Sequence, residues 1–124
     1  MTRVLIVDDQ PTFRRQLRAL LNCAGLEVVG EAEDIATAET LAQSLQPDLA
    51  IVDVFLPGVS GTEGTPRLKA IVPKMRVILV SAYHERLFQA SAQAAGAEAF
   101  IPKDALDLCM ALRWKENKEN RNET

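Results

Sequence analysis

The sequence predicts a single domain of the doubly wound α/β class with a parallel sheet of five strands. Short runs of β-branched and other apolar residues alternate five times with longer segments whose apolar residues recur at helical spacing. The short runs are apolar nearly throughout, which is typical of parallel strands covered by helices on both faces. A chain of 124 residues can bury such a core without disulfides or a structural metal.

Each element is predicted by its own run of residues. The predicted strands are RVLIV at 3–7, EVVGEA at 27–32, DLAIV at 48–52, RVILV at 76–80 and AEAFI at 97–101. The predicted helices cover 11–25, 35–46, 62–72 and 85–96, and a last helix begins at about Asp104 or Ala105.

Residues that start or stop helices set the predicted boundaries. Pro11 suits the first position of the first helix, because its ring holds φ near the helical value, and Gly25 suits the end of that helix. Asp34 is the expected N-cap of the second helix, which Pro47 closes. Pro66 must lie in the first turn of the third helix, because a later proline would interrupt the hydrogen-bond ladder.

The composition favours a cytoplasmic protein with no membrane partner and no nucleic-acid binding of its own. Its 17 acidic and 14 basic residues give a net charge of -3, which supplies no basic surface for a phosphate backbone. No apolar run reaches the roughly 18 residues of a membrane span, and no signal peptide precedes the first strand.

The cysteines and the histidine carry no recognisable site. Cys23 and Cys109 lie in apolar helical patterns without CxxC spacing or a paired histidine, so we expect buried, reduced thiols. His84 follows a strand, where an exposed loop residue is preferred over a pH-sensitive contact. Phe13, Leu17, Leu20 and Leu21 share the apolar face of the first helix.

Acidic and polar residues collect at the carboxyl ends of the predicted strands. Asp8 and Asp9 follow the first strand, and Asp53 follows the third. In the strand order 2-1-3-4-5 these two strands are neighbours, so their carboxylates converge at the switch point where doubly wound folds bind ligands. Ser81 ends the fourth strand and Lys103 follows the fifth, on the flank beyond the carboxylates.

This set of residues predicts phosphoryl chemistry. Three adjacent carboxylates raise one another's pKa, so a positive charge is expected among them. Mg²⁺ fits, because it shares its coordination sphere among a few carboxylates, waters and a phosphate. Lys103 supplies a second positive charge. Asp53 beside both charges is placed to attack phosphorus, with an aspartyl phosphate as the product.

Each residue alone also has a purely structural explanation. Asp8 and Asp9 could cap the helix that follows them, Asp53 could form a turn, and Ser81 could be a polar strand end. Lys103 could be an ordinary surface lysine. Independent turn residues, however, have no reason to place acids, a hydroxyl and an amine at one end of one sheet, so the joint pattern favours a site.

The segments VLIVDDQ, IVDVFLPGVSG, VILVSA and GAEAFIPKD resemble the receiver domain of bacterial two-component response regulators, in order and spacing. The resemblance covers residues 2 to about 115 and implies one flavodoxin-like receiver domain over 1–115. Residues 116–124 are then a polar tail or the start of a linker. The implied site comprises the phosphoacceptor Asp53, the Mg²⁺ ligands Asp8, Asp9, Asp53 and the Phe55 carbonyl, the switch hydroxyl of Ser81 and the phosphate-binding Lys103.

The resemblance also implies partners and a switch. A histidine kinase or a phosphotransfer protein supplies the phosphoryl group, and the receiver itself catalyses the transfer. Phosphorylation is thought to draw Ser81 toward the phosphate and to swing Phe100 inward, which changes a surface read by an output domain or protein. Any phosphorylation-dependent homodimer is expected to use the fourth or fifth helix. The chain is therefore predicted to be a signalling switch rather than a metabolic enzyme.

The chain departs from the common receiver pattern in three places. Lys103 is followed by Asp104 instead of proline, so this peptide bond is expected to be trans, and the KD ending is similar to receivers of LuxR-type transcription regulators. Phe100 lacks the hydroxyl that a tyrosine would offer. Phe55 and Tyr83 flank the acceptor with bulk, and we predict that they slow the access of water to the phosphoaspartate.

Other functions are considered beside the receiver. An aspartyl-phosphate phosphatase commonly needs a second acid two residues after its nucleophile, where this chain has Phe55. A nucleotide or flavin binder would need a glycine-rich phosphate loop, and neither GxGxxG nor GxxxxGK[ST] occurs. A docking receiver that works without phosphate would not need all the site residues. Whether the chain is a stand-alone receiver or part of a longer regulator is left open, as is whether KENKENRNET extends the last helix or frays.

Overall fold

The computed structural model describes residues 1–83 and 86–122, and it confirms the predicted sheet. The strands are Arg3–Val7 (β1), Glu27–Ala32 (β2), Leu49–Asp53 (β3), Arg76–Ser81 (β4) and Ala99–Pro102 (β5). All five are parallel, in the order β2-β1-β3-β4-β5. His84 and its predicted role lie outside the described residues.

Helices cover both faces of the sheet. They are Pro11–Cys23 (α1), Ile35–Leu45 (α2), Gly61–Ile71 (α3), Arg86–Ala95 (α4) and Leu108–Asn122 (α5). Leu17 and Leu21 of α1 pack with Ala111 and Trp114 of α5 against one face, while α2, α3 and α4 cover the other. Such double coverage explains why β1, β3 and β4 are apolar almost throughout and almost completely buried.

The cap of α2 is as predicted, whereas α3 begins differently. The Asp34 side chain accepts a hydrogen bond of 2.8 Å from the Thr37 N–H, as an N-cap does. Ser60 and Glu63 form a reciprocal capping box that starts α3 at Gly61. Pro66 is therefore the sixth residue of the helix and lies in its second turn, so its predicted place in the first turn was wrong. The S-x-x-E spacing was the signal that could have located this start.

The beginning of α5 was also predicted wrongly. Lys103–Ala105 form a single 3₁₀ turn, and α5 starts only at Leu108. The Asp107 carboxylate accepts a hydrogen bond of 2.8 Å from the Met110 N–H, which makes Asp107 the cap that defines the start. The backbone of α5 continues to Asn122, so the polar segment remains helical through that residue.

Both cysteines are exposed, which corrects the prediction that they are buried. Cys23 lies two residues beyond the buried Leu21, and Cys109 lies two residues before the buried Ala111. Two residues correspond to about 200° around an α-helix, so each thiol points away from the face that packs on the sheet.

Two further expectations concern the peptide bond that follows Lys103 and the absence of a membrane-spanning segment. Among the described residues there is no cis peptide bond, so the bond between Lys103 and Asp104 is trans as expected. None of the helices within the described ranges combines the length and the apolar character that a membrane crossing requires.

Candidate functional site

The carboxylates predicted to converge lie together at the carboxyl ends of β1 and β3. Asp8 directly follows β1, where its backbone N–H donates to the Ala32 carbonyl across the sheet, at 2.9 Å. Asp53 is the last residue of β3 and is paired with Val80 of β4. One carboxylate oxygen each of Asp8, Asp9 and Asp53 lie within 4.8 Å of one another. The strand order thus brings residues 45 positions apart into one acidic cluster.

Lys103 supplies positive charge to this cluster. Its Nζ lies 2.8 Å from Asp8 Oδ2 and 3.6 Å from Asp53 Oδ2. Only 13% of the lysine side chain is exposed. The 3₁₀ turn after β5 presents the lysine toward the ends of β1 and β3. The amine therefore lies between two carboxylates rather than in solvent.

The surroundings of Asp53 disfavour the ionised form of its carboxyl group. The residue is 5% exposed. Burial raises the pKa of the Asp53 carboxyl from 3.8 to about 6; the Lys103 charge opposes this rise, and the Asp8 charge adds to it. The Phe55 N–H, which donates to Asp53 Oδ1 at 3.3 Å, also favours the ionised form. Removing positive charge near this carboxylate would thus leave it protonated close to neutral pH.

A cavity of about 210 Å³ opens beside the acidic cluster. Ser81, fully buried at the end of β4, accepts a hydrogen bond of 3.1 Å from the Tyr83 N–H. This bond holds the loop after β4 at the rim of the cavity. The lining residues are Asp9, Gln10, Asp53, Phe55, Ala82, Tyr83 and Lys103.

Phe55 and Tyr83 form the outer wall of this cavity. Their rings meet edge to face, with centroids 5.3 Å apart and an interplanar angle of 79°. The two residues are 51% and 61% exposed. Both were expected to flank the acceptor, and the structure has them in contact with each other across the opening.

The residues present fit a hard divalent cation. Asp8 Oδ2 is buried and, within the described residues, receives no hydrogen bond, although Lys103 forms an ion pair with it. Three carboxylates within 4.8 Å of one another offer the oxygen donors that Mg²⁺ prefers. Asp9 is exposed, so the site opens to water, which commonly completes the Mg²⁺ shell.

The close approach of α3 to the site depends on a glycine. Gly61 donates its N–H to the Val54 carbonyl at 2.9 Å, which brings the start of α3 against the end of β3. A Cβ at residue 61 would lie 2.1 Å from the Asp53 carbonyl oxygen. Only glycine permits this contact, so α3 fixes the backbone of Asp53.

Sequence reasoning missed contributions from α1 and the turn before it. Gln10 Oε1 lies 3.5 Å from Lys103 Nζ. The Phe13 ring lies beneath the same amine, and Arg14 donates to the Asp8 carbonyl at 2.5 Å. Phe13 was predicted only as a core residue, and no local pattern connects it to a lysine ninety positions away.

Phe100 is already buried, at 5% exposure, in the core on the face covered by α2, α3 and α4. An aromatic ring without a hydroxyl gains nothing from contact with water. The predicted inward swing of Phe100 on phosphorylation therefore does not start from an exposed ring in this structure.

Comparison with known proteins matches residues 4–112 to the response regulator receiver domain. The response regulator GacA of Pseudomonas aeruginosa is 36% identical over 106 residues, which are 85% of this chain and 50% of GacA. The chain spans about half the length of such curated relatives.

Solved structures agree. The receiver domain of the putative response regulator NarL from Mycobacterium tuberculosis superposes with a TM-score of 0.84 at 32% identity, covering 94% of each chain. The CheX–CheY complex with BeF₃ and Mg²⁺ from Borrelia burgdorferi gives a TM-score of 0.81 at 25% identity, over 90% of this chain and 84% of the matched chain.

Proposed function

The chain belongs to the response regulator receiver family, and we propose that Asp53 is its phosphoacceptor. The observation that carries this proposal is the buried Asp53 carboxylate, which lies 3.6 Å from Lys103 Nζ and within 4.8 Å of the Asp8 and Asp9 carboxylates. No other position in the cluster combines the end of a central strand with an open cavity. In a doubly wound fold this is where ligands bind.

The reaction proposed is transfer of a phosphoryl group to the Asp53 carboxylate. An oxygen of Asp53 attacks phosphorus, and the bond from phosphorus to the donor's nitrogen or oxygen breaks as the donor leaves with that electron pair. Lys103, whose Nζ lies 3.6 Å from Asp53 Oδ2, neutralises charge on the oxygens of the transferring group. The Ser81 hydroxyl, one strand away on β4, is the proposed contact for the phosphorylated form.

Asp8, Asp9, Asp53 and the Phe55 carbonyl are the proposed holders of Mg²⁺. When bound, the cation would offset negative charge on the transferring phosphoryl oxygens. The fit of the acidic cluster supports this assignment. A structural relative, the Borrelia CheY, is described with Mg²⁺ and BeF₃, which supports the same choice of metal.

The wider role follows from the family. We propose a histidine kinase or a phosphotransfer protein as the cytoplasmic donor, and an output domain or protein as the reader. Relatives such as GacA are about twice as long as the matched region, so transcription regulation is proposed for a longer regulator of this kind. The chain itself is proposed to catalyse only its own phosphorylation and dephosphorylation, with the receiver over residues 1–115.

Intact mass after incubation with acetyl phosphate tests this function. With Mg²⁺ the chain should gain one phosphoryl group of about 80 Da, and the gain should disappear without Mg²⁺ or in Asp53→Asn. Asp34→Asn is the matched control, since it removes a carboxylate outside the site and retains a residue that can cap α2. Labelling of Asp53→Asn at the wild-type rate would refute the assignment, and no labelling of the folded wild type would favour a docking receiver.

A further inference from the structure

Phe13 contacts the lysine of the site through the face of its ring. Lys103 Nζ lies 4.1 Å from the centre of the Phe13 ring. A cation within about 6 Å of a ring centroid is attracted by the negative face of the ring. Phe13 is the third residue of the chain's first helix, α1, whereas Lys103 follows the last strand. The contact therefore connects α1 with the turn that follows β5 at the site.

The ring is placed for this contact rather than for the centre of the core. The deeply buried residues of α1 are Leu17 and Leu21, while Phe13 is only partly buried at the beginning of the helix. Because one helical turn separates Phe13 from Leu17, both lie on one face, and Phe13 packs against the core cluster that contains Leu17. The Phe13 ring also contacts the Lys103 ammonium, whose side chain is 13% exposed.

The contact matters because the carboxylate nearest to the lysine has another role in the proposed reaction. Lys103 is paired with Asp8 at 2.8 Å, and Asp8 is one of the proposed Mg²⁺ ligands. A cation bound to Asp8 competes directly with the lysine for that carboxylate. The Phe13 ring is not a metal ligand, so its attraction for the ammonium persists when the carboxylates are engaged. It also has no single hydrogen-bond direction, which leaves Nζ free to turn toward a phosphoryl group on Asp53.

We propose that Phe13 is a positioning residue, which holds the Lys103 ammonium at the acceptor through its ring face while the carboxylates bind metal. The inference rests on the proposed function, because it assigns Lys103 to the phosphoryl group. Phe13→Leu removes the ring and keeps an apolar side chain. Phe13→Tyr keeps a ring face and serves as the conservative control.

The contact itself is measured by NMR without metal or donor. In the wild type the ε-methylene protons of Lys103 should be shifted upfield by the ring, and Lys103→Arg identifies these resonances by their loss. Phe13→Leu should abolish the upfield shift, and Phe13→Tyr should keep it. Unchanged Lys103 resonances in Phe13→Leu would overturn the inference, whether or not the chain accepts a phosphoryl group.

The effect of the Phe13–Lys103 contact on phosphoryl transfer is measured as the rate of labelling by acetyl phosphate with Mg²⁺. Phe13→Leu should label about three- to tenfold more slowly than the wild type, while Phe13→Tyr should remain close to it. Thermal unfolding of each variant checks that it is folded. Equal rates for Phe13→Leu and the wild type, or an equal loss in Phe13→Tyr, would overturn the inference while the proposed function stands. Failure of the wild type to label would instead refute the proposed function.

Discussion

The ionised Asp53 lowers the free energy of unfolding, because it is a buried carboxylate next to Asp8 and Asp9. Lys103 offsets part of this loss of stability, yet the pKa of Asp53 remains raised, at about 6. Since the folded state binds the Asp53 proton more tightly than the unfolded state does, ionisation of Asp53 destabilises the fold as pH rises. The site is thus prepared for a cation and a phosphoryl group rather than for maximal stability.

Asp53→Asn should therefore stabilise the chain at neutral pH. Asparagine cannot ionise, so the variant avoids the loss of stability that the wild type undergoes as pH rises from about 4, the unfolded pKa, through about 6, the folded pKa. The expected gain in the free energy of unfolding is about 2 to 3 kcal/mol at pH 7 and close to zero near pH 4. Urea unfolding at both pH values measures it.

Two results would contradict this account of Asp53. One is an Asp53→Asn variant no more stable than the wild type at pH 7, and the other is a gain that persists unchanged at pH 4. Mg²⁺ provides the control, because a cation at the carboxylates should stabilise the wild type more than the variant. The difference in the free energy of unfolding at pH 7 should therefore become smaller when Mg²⁺ is added.

Phe55 and Tyr83 should control the lifetime of the phosphoaspartate. Their rings meet edge to face at the outer wall of the cavity beside Asp53. Phe55→Asn or Tyr83→Ser opens this wall to water, so loss of the phosphoryl group should accelerate by up to about tenfold, equivalent to about 1.4 kcal/mol of barrier. Intact mass after removal of the donor follows the decay. A decay rate unchanged in both variants would show that the rings do not limit the access of water.

At the scale of elements, a buried arginine joins β4, the start of β5 and α5 at the edge opposite the site. Arg76 is 6% exposed; it forms two bonds of 2.8 Å with the Glu98 carboxylate and donates to the Trp114 carbonyl at 2.8 Å. Because this donation reaches α5 from the sheet, the guanidinium fixes the middle of the helix that leads toward the polar segment.

Arg76→Met should lower the free energy of unfolding by about 2 to 4 kcal/mol, because it removes the buried guanidinium that donates to Glu98 and to a helix carbonyl. Arg67→Met is the matched control. Its pair with Glu39 is also formed through a guanidinium, but the Arg67 side chain is 48% exposed, so the expected loss is under about 1 kcal/mol. Urea unfolding compares the two, and equal losses would argue against a special role for the Arg76 contact.

Most elements could be predicted from local patterns, and the misses have physical causes. Strand existence follows from apolar runs, and Asp34 was found because an N-cap is a local interaction. The start of α5 was predicted too early, because residues 103–105 form a separate 3₁₀ turn before the helix. The N-cap of α5 is Asp107, which was not recognised in the sequence. The exposure of Cys23 was predictable, because Cys23 lies about 200° around α1 from Leu21, a residue of the predicted apolar face.

At the scale of the whole molecule, the fold and the acidic cluster were predictable because the doubly wound topology determines which strand ends are neighbours in the sheet. Asp8 and Asp53 meet since β1 and β3 are neighbours in the confirmed strand order. The contact between Phe13 and Lys103 was not predictable, because it joins residues ninety positions apart through the packing of α1 beside the 3₁₀ turn after β5. The roles of the site residues remain predictions that chemistry must test.

The most direct test is to locate the phosphoryl group in the chain. After labelling with acetyl phosphate and Mg²⁺, borohydride reduces an aspartyl phosphate to homoserine, and peptide sequencing by mass spectrometry then identifies the converted residue. We expect homoserine at position 53 and unchanged aspartate at Asp8, Asp9 and Asp34. Conversion at Asp8 or Asp9, with Asp53 intact, would contradict this expectation.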